Sequence, residues 1–527
     1  MSFERLASVD IAVLVAYAVG MIAIGALCAR QAHGAQDYFL AGRSMGWPVI
    51  GFSLFASNIS STTLVGLAGA AYATGISVYN YEWSAGIILI FMAVVILPFL
   101  LRAQVYTMPE YLERRYDRTA RLYFAGLTLF LNIVVDMAAS LYAGALLVQL
   151  VLPEVEVWRI VAGLALAAGA YTVLGGLKAV MITDVIQAAL LILGSIAITV
   201  AAAAKLGGPG DWLAAAPPNA LSLIRPIDDP SLPWLGLVLG VPILGFYFWC
   251  ANQFMVQRLL SARSLDHARW GALFAGLLKV PVLFIMVLPG IMALGLYPDL
   301  PDADQVYPTL VFDLLPAGVL GLVLAGFIAA LMSQIDSTLN SASTLVTMDF
   351  VRSRRPELSQ TALLRIGRVV AALVMGLAVL WAPQIARFEG LFVYLQQVLA
   401  YTVPPIVALL LVGAFWPRAN ARGALWALIG GTSAGAAAFA LIVLAEAVSL
   451  HFLYVAPLLA VISALALVAG SLTAPPPPPE KVAACLWTRA GFAAEGAALR
   501  GQPVWRNYRW QAIGLIGLTA AVVIAFW

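Results

Sequence analysis

Charge is what this chain has least of. Asp, Glu, Lys and Arg make up 10 % of its 527 residues, against about 25 % in an average soluble domain. With hydrophobic residues at 62 %, the composition excludes a soluble globule and describes a polytopic membrane protein. A net charge of +3 is too small to point to nucleic acid or to an acidic partner. Cysteine is almost missing: Cys28, Cys250 and Cys485 form neither a disulfide framework nor a thiolate metal site. The three histidines, His33, His267 and His451, stand apart and read as loop or helix-end residues. No phosphate loop, metal cluster or nucleophile–base pair is present, so an enzyme is not expected. The first apolar run opens with Asp10 and lacks a small-residue cleavage site, which predicts a retained span and not a signal peptide.

What is abundant is apolar sequence in membrane-sized pieces. A bilayer core takes about 20 apolar residues per helix. The runs predict fourteen spans, at 9–29, 47–73, 79–101, 121–151, 157–176, 180–204, 233–257, 270–297, 316–350, 363–383, 389–416, 423–447, 451–472 and 510–527. Placing the N-terminus outside puts 23 of the 29 Lys and Arg residues on inside loops and helix ends and 5 outside, with Lys279 inside a span. That bias predicts a multi-pass protein of the cell (inner or plasma) membrane with both termini on the outer side. The last inside loop carries "APPPPPEK", which reads as a stiff linker between the last helix and the transport body.

Against this background, polar residues inside the spans stand out. Charged groups at the bilayer centre cost at least about 2.5–3.5 kcal/mol each, and Glu82, Asp136, Asp184, Lys279 and Asp336 lie within spans or at their edges. The segment "ASNISSTTLVG", Ala56–Gly66, carries side-chain hydrogen-bonding groups at five of the six positions from Asn58 to Thr63. Interhelical glue is usually sparser. A knot this dense predicts a discontinuous helix, the device by which secondary transporters build ion and substrate sites at the midplane. Five spans later, Pro242 and Gly245 interrupt "GLVLGVPILGFYFWCANQF", which predicts a second broken helix or an ordinary kink.

The residues around these features, "DYFLAGRSMGW", "ASNIS", "YNYEW", "GGLKAVMITDVIQ", "NQFMVQRLLSAR" and "NSASTLVTMDF", resemble the sodium/solute symporter family over about residues 37–420. The nearest branch is that of the sodium–glucose cotransporters. The resemblance implies an all-α fold with a five-plus-five inverted repeat of the LeuT type. The repeat core covers 37–420, preceded by an extra helix at 1–36. Two added helices follow at 421–472, then a cytoplasmic loop at 473–508 and a last helix at 509–527. It implies sugar contacts from Asn58, Glu82, Lys279 and Gln396, with Thr63 also facing the substrate. It implies outer gates at Leu67, Tyr81 and Phe392 and an inner gate at Phe248, where a Tyr is usual; Gly245 stands where an Asn or Ser is usual. Na⁺, the coupling ion, is expected at the carbonyls of Ala56, Ile59 and Ala330 with Ser333 and Gln334, the last replacing a hydroxyl residue. Asp184, Asp336 and Ser337 match a second Na⁺ position, with Asp336 in place of a Ser or Thr.

The reading is therefore a sodium-coupled symporter for a neutral sugar or polyol working by alternating access, with a small sugar-like solute, Na⁺ and the lipid bilayer as its partners. Two rivals remain open. One is the same machine carrying an amino acid, carboxylate or sialic acid. The other is a transporter-like channel or sensor.

Overall fold

The computed structural model describes residues 6–29, 39–151, 153–207, 216, 219–388 and 390–527. Among them the regular structure is helical, with only two isolated β-bridges. We number the membrane helices along the chain: α1 (Ser8–Ala29), α2 (Trp47–Asn58), α3 (Ser61–Thr74), α4 (Ile76–Arg102), α5 (Arg118–Gln149), α6 (Val157–Lys205), α7 (Trp234–Ala251), α8 (Gln253–Leu260), α9 (Leu265–Leu278), α10 (Leu283–Leu296), α11 (Val319–Arg352), α12 (Thr361–Arg387), α13 (Leu391–Thr402), α14 (Pro404–Phe415), α15 (Ala421–Leu444), α16 (Phe452–Leu472) and α17 (Tyr508–Ala525). Three successive pairs are single spans bent at a short break: α2–α3 by 58°, α9–α10 by 42° and α13–α14 by 55°.

Helices in lipid gain nothing from burying apolar surface against one another, so small residues set their approach. A Cβ on Gly271 of α9 would meet the Ile50 Cβ of α2 at 2.8 Å, and one on Gly276 would meet the Gly86 Cα of α4 at 3.3 Å. The lipid-facing sides carry large exposed apolar residues, among them Leu166, Leu380, Leu465 and Ile524. Helix ends are satisfied inside the protein. Arg115, buried, donates to the carbonyls of Gly413, Trp416 and Ala419 at 2.7–2.8 Å and so closes the C-terminal end of α14.

Three expectations are corrected. The spans at 157–176 and 180–204 fall in one helical stretch, α6, because no proline falls between them to interrupt it. The seventh span is not broken at Pro242 and Gly245. Pro242 sits in the first turn of a helical segment, where its missing N–H costs nothing. The break falls at Asn252, whose backbone is extended (φ −61°, ψ 127°) and whose side chain caps α8 by accepting from the Phe254 N–H at 3.3 Å. The proline-containing loop does not hold the last helix away. Its residues dock on the body: Lys481 donates to the Tyr116 carbonyl at 2.6 Å, Trp487 N–H to Ala414 at 3.0 Å, and Glu495 pairs with Arg269. His267 and His451 stand at helix starts, His267 accepting from Trp47 N–H and His451 capping α16; His33 lies outside the described residues.

The two broken helices are tied to each other at one end. Met45, just before α2, accepts from Arg263 N–H at 3.1 Å and donates to the Ser261 carbonyl at 3.0 Å, just after α8. This end lies on the arginine-rich face of the molecule, with Arg43 and Arg263 beside the bridge.

Candidate functional site

The polar knot is a helix break. Helix α2 stops at Asn58 and α3 starts at Ser61, with Ser60 extended at φ −86°, ψ 177°. The carbonyls of the last turn of α2 lose their intrahelical partners, and the knot supplies replacements. The Thr63 hydroxyl donates to the Asn58 carbonyl at 2.7 Å, Ser60 and Thr62 pair their hydroxyls at 2.5 Å, and Ser61 donates to the Ser140 carbonyl at 3.3 Å. Two groups are left over. Ser57 Oγ and Asn58 Oδ1 are buried without a protein partner, and both residues line a cavity of 120 Å³ beside the break.

That cavity gathers side chains from distant parts of the chain. Thr63, Glu82, Gln396, Phe248 and Gln334 line it, together with Asp136, Trp249 and Asn252. Lys279 stays out of the lining. Its ammonium sits behind Glu82 at 2.5 Å, with the Phe55 and Trp249 rings at 5.6 and 5.5 Å. The bend between α9 and α10 delivers it there: Lys279 is the C-cap of α9, where the helix dipole favours a cation. The Tyr79 hydroxyl donates to the Val280 carbonyl, in the break between the two halves, at 3.1 Å. The "YNYEW" motif thus braces the second bend with Tyr79 and neutralises its lysine with Glu82.

Tyr81 and Phe392 meet edge to face with centroids 5.0 Å apart. Both also line a second, larger space of 780 Å³ that opens on the face opposite the arginines, so this pair separates cavity from vestibule. Gly66 of α3 makes the room: a Cβ there would meet Phe392 Cβ at 3.3 Å. Leu67, expected as a gate, is fully buried in the core and lines neither space. Phe248 packs edge to face on Trp249 and Phe254.

Of the residues expected to hold the coupling ion, Ala56, Ile59, Ala330 and Ser333 are buried at the end of α2 and on α11. Gln334 turns elsewhere: its amide lines the cavity and donates to Asp136 Oδ1 at 3.4 Å. The group expected to take a second cation already contains one from the protein. The Arg258 guanidinium donates to Asp184 at 3.0 Å, to Ser337 at 2.5 Å and to Ser53 at 2.7 Å. Ser53 and Ser333 in turn donate to Asp184. Asp336, also buried, is near enough to Arg258 to act on its charge. Arginine is always ionised and makes a rigid donor fork, so the expected second-cation position is filled by a side chain. In the sequence Arg258 reads as one more arginine at a helix end. The signal for its other role was its place within "NQFMVQRLLSAR", inside the helix that Asn252 starts.

Two broken spans, polar groups converging at their breaks and a cavity beside a vestibule define a membrane transporter of the discontinuous-helix type. Comparison with known proteins agrees. A family profile, Sodium:solute symporter family, matches residues 38–431, and the chain belongs to that family. It is 36 % identical over 533 residues to sodium/myo-inositol cotransporter 2 of Oryctolagus cuniculus, covering 91 % of this chain and 78 % of that one. Sodium/glucose cotransporter 1 of the same organism is 36 % identical over 473 residues, covering 81 % and 71 %. Among solved structures, a Na⁺-coupled sialic acid symporter in a substrate-bound outward-open state superposes with a TM-score of 0.77 at 22 % identity, over 89 % of this chain and 99 % of that one. The last likeness establishes the inverted-repeat fold.

Proposed function

We propose that this chain is a sodium-coupled secondary-active symporter for a hydroxyl-rich small solute, a sugar or polyol. The observation that carries it is the set of polar groups lining the cavity at the break. Asn58 offers an unpartnered acceptor there, Gln396 offers both donor and acceptor, and Glu82 offers a carboxylate whose charge Lys279 cancels. Such a set suits a ring with hydroxyls on several edges, while Tyr81, Phe248 and Phe392 suit its apolar faces. A lone carboxylate ligand is disfavoured because the nearest cation, Lys279, is already committed to Glu82. Inositol and glucose cotransport in the relatives supports the same class.

In this reading Na⁺ would bind at the open end of α2, on the carbonyls of Ala56 and Ile59, with Ala330 and Ser333 on α11 as its other ligands. Each Na⁺ entering down the potential supplies about 2.3 kcal/mol per 100 mV. The arginine-rich face is assigned to the cytoplasm, which makes the vestibule outward-facing and the described state an outward-facing one with its aromatic gate shut. Proteoliposome uptake of labelled myo-inositol and glucose tests the reading. Uptake should follow an inward Na⁺ gradient and collapse in choline; equal uptake in choline would sink it.

A further inference from the structure

Glu82 and Asp136 both present carboxyl groups to the cavity, and they are compensated differently. Glu82 has Lys279 at 2.5 Å. Asp136 has neutral donors. Gln334 reaches its Oδ1 at 3.4 Å, and Asn252, which caps α8 with its Oδ1, has its side chain within hydrogen-bonding reach of the same carboxyl. Asn132, one turn earlier, offers its amide nitrogen to Asp136 Oδ2 at 3.3 Å in the orientation that satisfies both ends of that amide. Among the described residues, no Lys, Arg or His nitrogen lies within 4.0 Å of it. Asp136 also sits in a stretch of α5, Asn132–Met137, that is wound as a π-helix, a distortion that often marks functional sites. Asp136 is 8 % exposed and lines the cavity.

Neutral amides orient an ionised carboxylate but do not cancel it, and a buried unpaired charge is costly. Two other acids buried deep in the bundle are paired with arginine: Asp184 has Arg258, and Asp349 has Arg121 at 2.7 Å. Asp136 alone among these three faces the space where a solute sits. Gln334 turns its donor end toward it, so the pair is arranged as a carboxylate acceptor with a fixed donor beside it, open on the cavity side.

We infer that Asp136 sets substrate charge: the cavity prefers a polyhydroxylated ring carrying one protonated amine, an amino sugar or amino polyol, whose ammonium pairs with Asp136 while its hydroxyls meet Asn58, Glu82 and Gln396. This rests on the sugar-or-polyol reading above and narrows it. The Glu82–Lys279 pair contributes no net charge, so an ionised Asp136 adds one uncompensated negative charge to the cavity, which the ammonium of a singly cationic solute would balance and so favour.

The probes are glucosamine, glucose and myo-inositol, used in Na⁺-driven proteoliposome uptake and in ligand-induced thermal shift of the full chain. Wild type should take up glucosamine with at least tenfold higher kcat/KM than glucose. Asp136→Asn should reduce that ratio at least tenfold, and Asp136→Glu should restore part of it. The wild-type ratio is informative even where a variant folds poorly. Equal handling of glucosamine and glucose by wild type would overturn the inference and leave the sugar reading standing. So would a preference that Asp136→Asn does not change. Neutral-sugar uptake whose pH dependence vanishes in Asp136→Asn would assign the carboxyl to a proton, and a change in Na⁺ affinity without a change in the sugar ratio would assign it to the ion; either overturns the inference. If none of the three probes shows Na⁺-dependent uptake, the underlying sugar reading itself fails.

Discussion

On the vestibule side, one edge-to-face pair, Tyr81 and Phe392, stands between cavity and solvent. Towards the arginine-rich face, the polar groups beneath the cavity are a buried ionic network in which Arg258, Asp184, Ser53, Ser333 and Ser337 exchange at least five hydrogen bonds. Below it, Thr107 and Arg121 hold Asp349 in a second charged cluster. An aromatic pair contributes about 0.5–1.5 kcal/mol beyond its buried area, close to thermal energy, and needs no compensating charge to open. Separating a buried ion pair leaves each charge in low dielectric at a cost of several kcal/mol. On the proposed reading, opening the vestibule side has only this ring contact to break between cavity and vestibule. On the same reading, an opening of the other side that parted Arg258 from Asp184 would need another cation to neutralise Asp184.

The largest effect should come from the network. Arg258→Met leaves Asp184 with hydroxyl donors only, and breaking a buried pair from one side costs about 3–5 kcal/mol. Thermal unfolding in detergent should show a strongly destabilised protein, and Asp184→Asn in the same chain should recover part of the loss. A double variant no better than Arg258→Met alone would mean the two groups do not act as a pair.

Next comes the cavity. Glu82→Ala strands the Lys279 ammonium, which is 1 % exposed, and removes a charged acceptor for solute; groups of this kind are worth about 1–3 kcal/mol. Sugar affinity should fall tenfold or more, read by isothermal titration in Na⁺. Unchanged affinity would remove Glu82 from the site and leave the vestibule comparison without its cavity.

Phe392→Ala should act on closure more than on binding. The cavity and vestibule become continuous, so release of bound sugar to the vestibule side should speed up by several-fold, in line with about 0.5–1.5 kcal/mol for the lost pair. Filter-trap dissociation kinetics measure it. An unaltered exit rate would show that the barrier lies elsewhere, for instance in the packing of α3 against α10.

How much of this contrast could be read from the chain depends on which residues carry it. The first break was legible because Asn58, Ser60, Ser61, Thr62 and Thr63 crowd into one apolar span, and only an interrupted helix uses that many polar groups. The second was misplaced because Pro242 and Gly245 are general irregularities of membrane helices, while the residue that breaks the span, Asn252, looks like any cap. Glu82 and Lys279 were visible as charges in apolar sequence, 197 residues apart, but their pairing depends on two separate bends. Arg258 was hidden by its own abundance class: on one face rich in arginines, a buried one has the same letter as an exposed one. Leu67, expected at the path, lies in the core and lines neither space, since an apolar residue on such a helix can face the core or the path and composition does not distinguish them.

The smallest expected effect lies at the vestibule rim, where the aromatic gate is anchored. Asp304, in the short turn Ala303–Gln305, accepts from the Leu391 N–H at 3.1 Å and so caps α13, the helix that carries Phe392. Gly69 of α3 lets that turn approach: a Cβ there would meet the Ala303 carbonyl oxygen at 2.6 Å. Burial raises the Asp304 carboxyl above the ordinary carboxylate range and neighbouring Asp302 adds to this, while the Leu391 N–H pulls the other way. The sign follows from proton counting. With its folded value raised, Asp304 holds a proton in the folded protein over a pH window in which the unfolded chain has lost it. Its contribution to stability is full below the unfolded value and is lost as pH rises through the folded one. Wild type should therefore lose a small part of its stability relative to Asp304→Asn across that window, seen as a difference in the slope of Tm against pH. Parallel slopes would show that the carboxyl is solvated at the rim, and the gate helix would then be anchored only by packing, as thinly on its outer end as the Tyr81–Phe392 pair is at its centre.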